Sequence, residues 1–215
     1  MRADPRVALL KELAHPLRLR VIDRLGHVGP ASVSALAGEL GASMPELSNH
    51  LRRLREAGLV RARRDGRHAV YELGGAEVDV LLPLLDRLTA PAEPRPASAP
   101  SRTCYDHLAG PLGVRLYREL TAAGALHAGR DGTVEVADPA PLAALGVDAA
   151  AVDPGRRRLA FECLDATEQE PHLGGALGAA LAAALLDRGW VERADGREVR
   201  LTGAGRAALQ DGTGA

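Results

Sequence analysis

The stretch that most constrains the fold spans residues 43–73, where a helical pattern is followed at once by a hairpin pattern. Leucines at four- and three-residue spacing line one face of the predicted helix: Leu47, Leu51 and Leu54. Ser43 is a favourable N-cap, because its hydroxyl can accept an unpaired backbone N–H, and Gly58 can adopt the left-handed conformation that ends a helix. The pattern therefore predicts both ends of this helix and the face that it buries.

Two short strand-like runs follow this helix, at residues 59–64 and 68–73. The dipeptide Asp65-Gly66 between them is a strong signal for a two-residue turn. Residues 43–73 contain seven arginines and four acidic residues, whereas the whole chain has a net charge of −1. A helix with an exposed polar face, followed by a basic hairpin, is the pattern of a winged helix-turn-helix, in which the helix enters the major groove of DNA.

Candidate DNA contacts come from the exposed face of this helix and from the hairpin. Short polar and guanidinium groups on the helix could reach base edges, and arginines of the hairpin could lie along phosphates. The candidates are Ser43, Ser48, Asn49, His50, Arg52, Arg53, Arg63, Arg64 and Arg67. The alternative is a solvated, arginine-rich surface helix beside an ordinary hairpin, which the complete order of parts disfavours.

Several of these runs closely resemble the ArsR-type family of bacterial repressors. The resemblance rests on LRRLREAGLV at 51–60, RRDGR at 63–67, Tyr71, and AHPLRL at 14–19, which looks like the opening of the family's second helix. It covers about residues 5–90. The resemblance implies a homodimer that binds a near-palindromic DNA operator and releases it on meeting an effector.

The metal sites known in this family lack their ligands here. In its arsenic and cadmium sensors, paired cysteines lie on the helix that precedes the DNA-reading helix. The corresponding stretch here, residues 32–40, contains no cysteine. In its zinc and nickel sensors, the last helix of the domain carries Asp and His ligands, whereas residues 76–88 contain Glu77, Asp79 and Asp86 but no histidine. Metal sensing by the family's usual route is therefore not expected.

The first and last helices predicted for this domain are more apolar than the small core of one subunit requires. We therefore predict a two-fold interface that contains Val7, Leu10, Leu82 and Leu85. Four prolines within residues 89–102 exclude a helix or a central strand and favour an extended linker. The predicted organisation is a domain of residues 1–90, a linker of residues 91–102 and a sensor domain of residues 103–215.

The sensor domain contains an internal repeat, in which HLAGPLG at 107–113 matches HLGGALG at 172–178 without a gap. Each copy predicts a helix, a glycine-containing turn and a hairpin. The patterns Thr103-x-x-Asp106 and Thr167-x-x-Glu170 resemble capping boxes and predict helices that begin just before the repeated histidines. The fold class is therefore α+β, mainly helical, with a winged helix-turn-helix domain and a second domain of two repeated helix-hairpin halves. Coincidence in an Ala-, Leu- and Gly-rich chain is the alternative.

The repeat also suggests a ligand site in the sensor domain. Cys104 and His107 would share a helical face, and Cys163 and His172 occupy the comparable region of the second copy. These four residues could form a tetrahedral zinc site or a thiol switch, or they could be ordinary buried side chains. Glycine-rich helices could instead leave a pocket for a small-molecule effector beside the two histidines and Trp190, or simply pack closely. A carboxylate or phosphate of such an effector could dock at the helix N-termini.

The remaining features restrict the class of protein. No apolar run is long enough to span a membrane, and no signal peptide is recognisable, so no membrane partner is expected. Two cysteines are too few for a disulfide scaffold and favour a reducing cytoplasm. No hydrolase elbow, phosphate-binding loop or acid-base pair indicates an enzyme, and no obligatory cofactor is indicated. The rival hypothesis is a small-molecule-binding or thiol-reactive module whose winged helix serves protein contacts.

Overall fold

The structure, a computed structural model, describes residues 4–66, 68–75, 100–129, 132–155, 157–165 and 167–211, together with residues 78, 81 and 85. The chain divides into two compact units, Met1–Leu82 and Pro83–Ala215. Most of the predicted linker lies outside the described residues, but Arg102, its predicted last residue, belongs to a strand. Within the described part of the chain, no helix is both long and apolar enough to span a membrane.

The elements described in the N-terminal unit, up to residue 75, are four helices and a three-stranded antiparallel sheet. In chain order its elements are α1 (Pro5–Leu13), α2 (Pro16–Val28), β1 (Ala31–Ser32), α3 (Val33–Leu40), α4 (Met44–Glu56), β2 (Val60–Asp65) and β3 (His68–Leu73). The strand order is β1-β3-β2. Asp65 pairs with His68, so the hairpin turns one residue later than the Asp65-Gly66 dipeptide predicts.

The caps and the apolar face predicted for α4 are confirmed. The Ser43 hydroxyl accepts the backbone N–H of Glu46 at 3.4 Å, and Gly58 follows the helix with a φ of 75°. The leucine face is completely buried: Leu47, Leu51 and Leu54. Helix α2 ends at Val28, where Gly29 takes a positive φ of 91°.

The C-terminal unit contains two halves with the same order of elements, a hairpin, a helix and a second hairpin. The first half has β4 (Arg102–Cys104), β5 (His107–Ala109), α5 (Gly110–Ala122), β6 (Leu126–Ala128) and β7 (Val134–Val136). A short helix α6 (Ala140–Ala144) and a 3-10 turn (Ala149–Ala151) follow. The second half has β8 (Phe161–Leu164), β9 (Pro171–Gly174), α7 (Gly175–Asp187), β10 (Val191–Arg193) and β11 (Val199–Leu201), and α8 (Gly203–Asp211) follows it.

The two halves exchange equivalent backbone hydrogen bonds, as a pseudo-two-fold relation requires. The beginning of the first hairpin in each half is hydrogen-bonded to the second hairpin of the other half. The bonds are Thr103 N–H to Arg197 O at 2.8 Å, Glu162 N–H to Gly132 O at 2.8 Å, Val199 N–H to Ser101 O at 2.9 Å and Val134 N–H to Ala160 O at 3.3 Å. Helix α5 also packs on β9, and α7 packs on β5. The halves are therefore interlocked rather than merely adjacent.

The repeated leucines of both halves meet in one core. They are buried at every repeat position: Leu108, Leu112, Leu116, Leu120, Leu173, Leu177, Leu181 and Leu185. The predicted capping boxes are wrong, because Thr103 lies in β4 and helix α5 begins only at Gly110. A hairpin therefore precedes each repeated helix, and the predicted helix-hairpin halves lacked it. The period-two pattern of a three-residue strand is too short to stand out beside the leucine repeat.

Candidate functional site

Helix α4 presents a polar face on the side opposite its buried leucines. Ser48, Asn49 and Arg52 are all exposed. The Arg52 guanidinium donates to Asn49 Oδ1 at 2.9 Å and to Glu56 Oε1 at 3.0 Å. These two bonds hold Arg52 along the helix surface, so a DNA base would have to replace Glu56 or Asn49 as its acceptor.

Two other predicted DNA contacts on α4 are directed toward the protein. Arg53 makes a bidentate ion pair with Glu12 of α1, at 2.8 and 2.9 Å. The ring of His50 lies 4.2 Å from that of His15, and its Nδ1 is buried. Burial, together with the charges of His15 and Arg18, lowers the pKa of His50. The outward orientation predicted for His50 is therefore wrong, since the helical period places it beside the buried stripe.

The hairpin β2–β3 carries the remaining candidates. Arg64 is exposed. Arg63 is paired with Asp65 at 3.2 Å and with Glu72 at 3.4 Å, so its charge is largely compensated within the hairpin. Arg67 lies outside the described residues.

The predicted dimer contacts on α1 are exposed in the single chain. Val7 is 48% exposed and Leu10 is 54% exposed, although Leu13 on the same helix is buried. Leu82 lies outside the described residues, and Leu85 is partly buried. Helix α1 therefore leaves apolar surface uncovered in the N-terminal unit.

In the C-terminal unit, each half places a cysteine opposite a histidine. Cys104 pairs with His107 across β4 and β5, and Cys163 pairs with His172 across β8 and β9. The prediction that Cys104 and His107 share a helical face is wrong, because both lie in a hairpin. Cross-strand partners have neighbouring side chains on one face, so the hairpins still bring each pair together.

The two Cys-His pairs meet where the halves interlock. The thiols of Cys104 and Cys163 and one ring nitrogen of His107 lie within 4.8 Å of one another. The His107 and His172 rings are 5.1 Å apart between centroids, and both side chains are buried. Both cysteines are thiols rather than halves of a disulfide. The structure thus brings together all four residues that the repeat suggested.

A carboxylate accompanies each of these histidines. Asp106 Oδ1 lies 3.5 Å from His107 Nδ1, and Asp165 Oδ2 lies 3.6 Å from His172 Nδ1. Arginines in turn bind these carboxylates, Arg157 at 2.6 Å from Asp106 and Arg102 at 2.9 Å from Asp165. Each ring is therefore oriented by a carboxylate that is itself held in place.

The carboxylate of Asp165 is completely buried and accepts several hydrogen bonds. It accepts the backbone N–H of Gly110 at 2.6 Å, that of Thr167 at 2.8 Å and that of Glu168 at 3.1 Å. Burial acts to raise the pKa of Asp165, but the hydrogen bonds from Thr167 and Gly110 outweigh it and hold this pKa far below its ordinary value. Asp165 is therefore a buried carboxylate anion.

The two histidines differ in their electrostatics. Burial lowers the pKa of each ring, but hydrogen bonding to Asp106 and Cys104 outweighs this effect at His107, whose pKa is raised. At His172, burial prevails over the favourable effect of Cys104, and the positive charge of His107 opposes protonation further, so the pKa is lowered. If only one of the two rings is protonated, it is therefore His107 rather than His172.

Comparison with known proteins identifies the family. Residues 13–63 match a helix-turn-helix domain family. The HTH-type transcriptional regulator YdfF of Bacillus subtilis is 30% identical over 222 residues, an alignment that covers 96% of each chain. This chain belongs to the ArsR-type winged helix-turn-helix transcriptional regulators. It is a DNA-binding regulator of transcription.

Two further relatives of this ArsR-type regulator match less than half of its chain. The biofilm growth-associated repressor of Xylella fastidiosa is 38% identical over 81 residues, which are 38% of this chain and 70% of that protein. The solved structure of the repressor BigR from Xylella fastidiosa is 36% identical, covers 42% of this chain and 91% of that chain, and gives a TM-score of 0.38. The alignment with YdfF, in contrast, extends through both units.

Two features of the predicted effector site in this ArsR-type regulator are corrected by the structure. Trp190 does not join the histidines: it follows the C-terminus of α7, whereas His172 precedes the N-terminus, and 13 helical residues span about 20 Å. Trp190 instead borders an apolar cleft of about 450 Å³ with Leu116, Leu145 and Leu209. The N-terminus of α5 is bonded to Asp165, so this carboxylate of the protein stands where an anionic effector was predicted to dock.

The carboxylates beside the histidines were missed as site residues at the sequence level. Each hairpin contains the sequence Cys-x-Asp, at 104–106 and at 163–165. The second hairpin has a longer loop between its cysteine and its histidine, so the gap-free repeat that begins at the histidines does not include these residues. An alignment that allowed a gap after Cys-x-Asp would have found them.

Proposed function

We propose that this regulator is a repressor that binds a near-palindromic operator as a homodimer, and that its C-terminal unit responds to an effector. The observation that carries the proposal is the contrast between the two faces of helix α4. One side is a fully buried leucine stripe, and the other exposes short polar and guanidinium groups. A helix anchored in this way can be presented to the major groove without losing its packing.

Within this proposal, Ser48, Asn49 and Arg52 read base edges. Asparagine and arginine are suited to this role, because each can form paired hydrogen bonds with one base, to adenine and to guanine respectively. Arg64 and Arg67 of the hairpin bind phosphates. Arg53 and Arg63 have secondary roles, because Glu12 and Glu72 already compensate their charges.

The homodimer forms through α1 in this proposal. Val7 and Leu10 leave apolar surface exposed that a second copy of the helix would cover. Leu10→Asp should yield monomers in sedimentation velocity and lose operator affinity, because the interface would have to bury an unpaired charge. Leu159→Asp is the matched control, since Leu159 is an exposed leucine of the C-terminal unit. A Leu10→Asp protein that sediments like the parent would refute this interface.

DNA binding is tested with the full chain and the DNA upstream of its own gene. We expect specific binding that weakens steeply as salt rises, because phosphate contacts release counterions. The rival hypothesis, in which the winged helix serves protein contacts, predicts no difference between this DNA and a scrambled duplex. A binding curve that is identical for both duplexes at every salt concentration would therefore favour the rival.

The effector-responsive role of the C-terminal unit has its own support. This unit is included in the alignment with YdfF, and it holds a largely buried cluster of thiols, imidazoles and carboxylates that the DNA-binding unit does not need. We expect an effector to shift operator affinity only if it binds one state of the regulator more tightly than the other. The measurement is operator affinity with and without the candidate effector. Deletion of residues 100–215 should abolish the response and keep operator binding.

A further inference from the structure

We propose that Cys104, Cys163, His107 and His172 bind one thiophilic metal cation, for which Zn²⁺ is the probe, between the two halves of the C-terminal unit. This site is unrelated to the positions where the family resemblance would place a metal. It goes beyond the proposed function, because metal binding here requires neither DNA nor a dimer. Only its regulatory consequence rests on that function.

The donor set suits zinc. Two thiolates and two imidazoles form a common four-coordinate, tetrahedral zinc environment. In such a site the bonds of about 2.3 Å to sulfur and 2.1 Å to nitrogen place neighbouring donor atoms roughly 3.4–3.8 Å apart. Three donors, from Cys104, Cys163 and His107, already lie within 4.8 Å of one another. Contraction by about an ångström, within reach of side-chain rotation, would complete the first three bonds.

His172 is positioned for the fourth bond. Its ring lies 5.1 Å from that of His107, and both of its ring nitrogens are buried. Its polar neighbours are the Cys104 thiol and the Asp165 carboxylate, whose Oδ2 lies 3.6 Å from Nδ1, beyond ordinary hydrogen-bond length. Coordination of a cation by His172 would add a strong bond to these weak contacts.

The carboxylates supply the outer shell that metal-binding histidines usually have. Asp106 lies beside Nδ1 of His107, and Asp165 lies beside Nδ1 of His172, at 3.5 and 3.6 Å. A carboxylate at one ring nitrogen orients the ring and increases the basicity of the other nitrogen, which is then free to bind the metal. The arrangement is repeated in both halves, so it does not depend on one fortuitous contact.

The site also has an entry path and a mechanical consequence. Cys104 is partly exposed, whereas Cys163 and both histidines are buried, so an ion would enter past Cys104. The ligands come from hairpins of different halves, β4–β5 and β8–β9. A bound cation would therefore link the two hairpins and favour the arrangement of the unit that holds them together. If the proposed regulation holds, this is the state that the metal selects.

The experiment titrates the full chain, stripped with a chelator and kept reduced, with Co²⁺ and then with Zn²⁺. We expect a single equivalent of Co²⁺ with the d–d absorption of a tetrahedral site and a thiolate-to-cobalt charge-transfer band, and displacement of both by Zn²⁺. Cys104→Ser, Cys163→Ser, His107→Gln and His172→Gln should each weaken Zn²⁺ binding by more than about 100-fold, beyond the loss typical of outer-shell changes. Asp106→Asn should weaken it by about 10- to 100-fold.

His127→Gln is the matched control, because His127 is an exposed histidine of β6 in the same unit, and it should bind Zn²⁺ like the parent. Fluorescence of Trp190 reports whether each variant is folded. Should a ligand variant unfold, the charge-transfer band of the parent still decides the matter. A parent without that band, or with equal Zn²⁺ affinity in the parent and all four variants, would overturn the site.

Failure of this site and failure of the proposed function are distinguishable. Metal titration is read without DNA, and operator binding is read on the stripped protein. If the stripped protein fails to bind the operator but the full chain still binds Zn²⁺ at these residues, the metal site remains supported. A Zn²⁺ site with no effect on operator affinity would refute only the regulatory consequence.

Discussion

The imidazole rings of His107 and His172 lie 5.1 Å apart, although each belongs to a different half of the C-terminal unit. They can approach because each faces a glycine of the other half's helix. A Cβ on Gly113 would lie 3.5 Å from the His172 Cβ, and one on Gly178 would lie 3.1 Å from the His107 Cβ. The repeated glycines thus set the separation of the Cys-His pairs.

These glycines give a first prediction. Gly178→Ala should destabilise the C-terminal unit by about 1–3 kcal/mol, because the added Cβ would overlap the backbone carbonyl of Leu173 as well as crowd His107. Urea unfolding followed by Trp190 fluorescence measures this loss. Gly38→Ala in the other unit is the control, since its Cβ would meet nothing within 4 Å. It should leave the Trp190 transition unchanged and stabilise α3 by about 0.5–1 kcal/mol in unfolding followed by circular dichroism. Equal effects of the two substitutions would contradict the close packing of Gly178 against Leu173 and His107.

Asp165 gives a second prediction. Asp165→Ala should destabilise the C-terminal unit by about 3–5 kcal/mol, because it leaves the Arg102 guanidinium and the Gly110 N–H without their buried acceptor. Asp148→Ala is the control, as it removes only one exposed hydrogen bond, to the backbone N–H of Ala150. Urea unfolding with Trp190 as the probe compares the two. A loss below about 1 kcal/mol for Asp165→Ala would show that its network contributes little.

The third prediction separates base reading from phosphate binding. Arg52→Ala should weaken operator binding by about 1–3 kcal/mol and relax the preference at one base pair. Arg64→Ala should weaken binding to all sequences alike and reduce the salt slope by about one. Fluorescence anisotropy with operator and scrambled duplexes over a salt series measures both. Arg200→Ala, which removes an exposed arginine of the C-terminal unit, should change neither quantity.

The fourth prediction concerns pH. Because burial beside His15 and Arg18 lowers the pKa of His50, the unfolded chain binds a proton there that the folded chain does not. Stability should therefore fall as pH decreases below the unfolded value of about 6.5 and level off below the folded pKa. The neighbouring charges are those of His15, Arg18, Arg53 and Glu46. His50→Gln should flatten this dependence in urea unfolding followed by circular dichroism, and an unchanged slope would contradict it.

The sequence alone determined the elements whose signals are local. The caps of α4, its leucine stripe and the hairpin after it follow from side chains within one turn or one strand pair. Such patterns also carry the family resemblance, which the comparison with YdfF confirmed. The repeat in the C-terminal unit was visible because both halves bury leucines at the same positions.

Only the tertiary structure decided what these elements bring together. Residues 102–109 form a hairpin rather than a helical turn, because β4 is held by backbone bonds to Arg197 and Glu198 of the other half, far away in sequence. The inward orientation of His50 and the pairing of Arg53 with Glu12 likewise depend on neighbouring helices. Long-range partners leave no periodic signature in the chain. The repeat suggested that two cysteines and two histidines meet, but only the folded molecule shows that hairpins, not helices, bring them together.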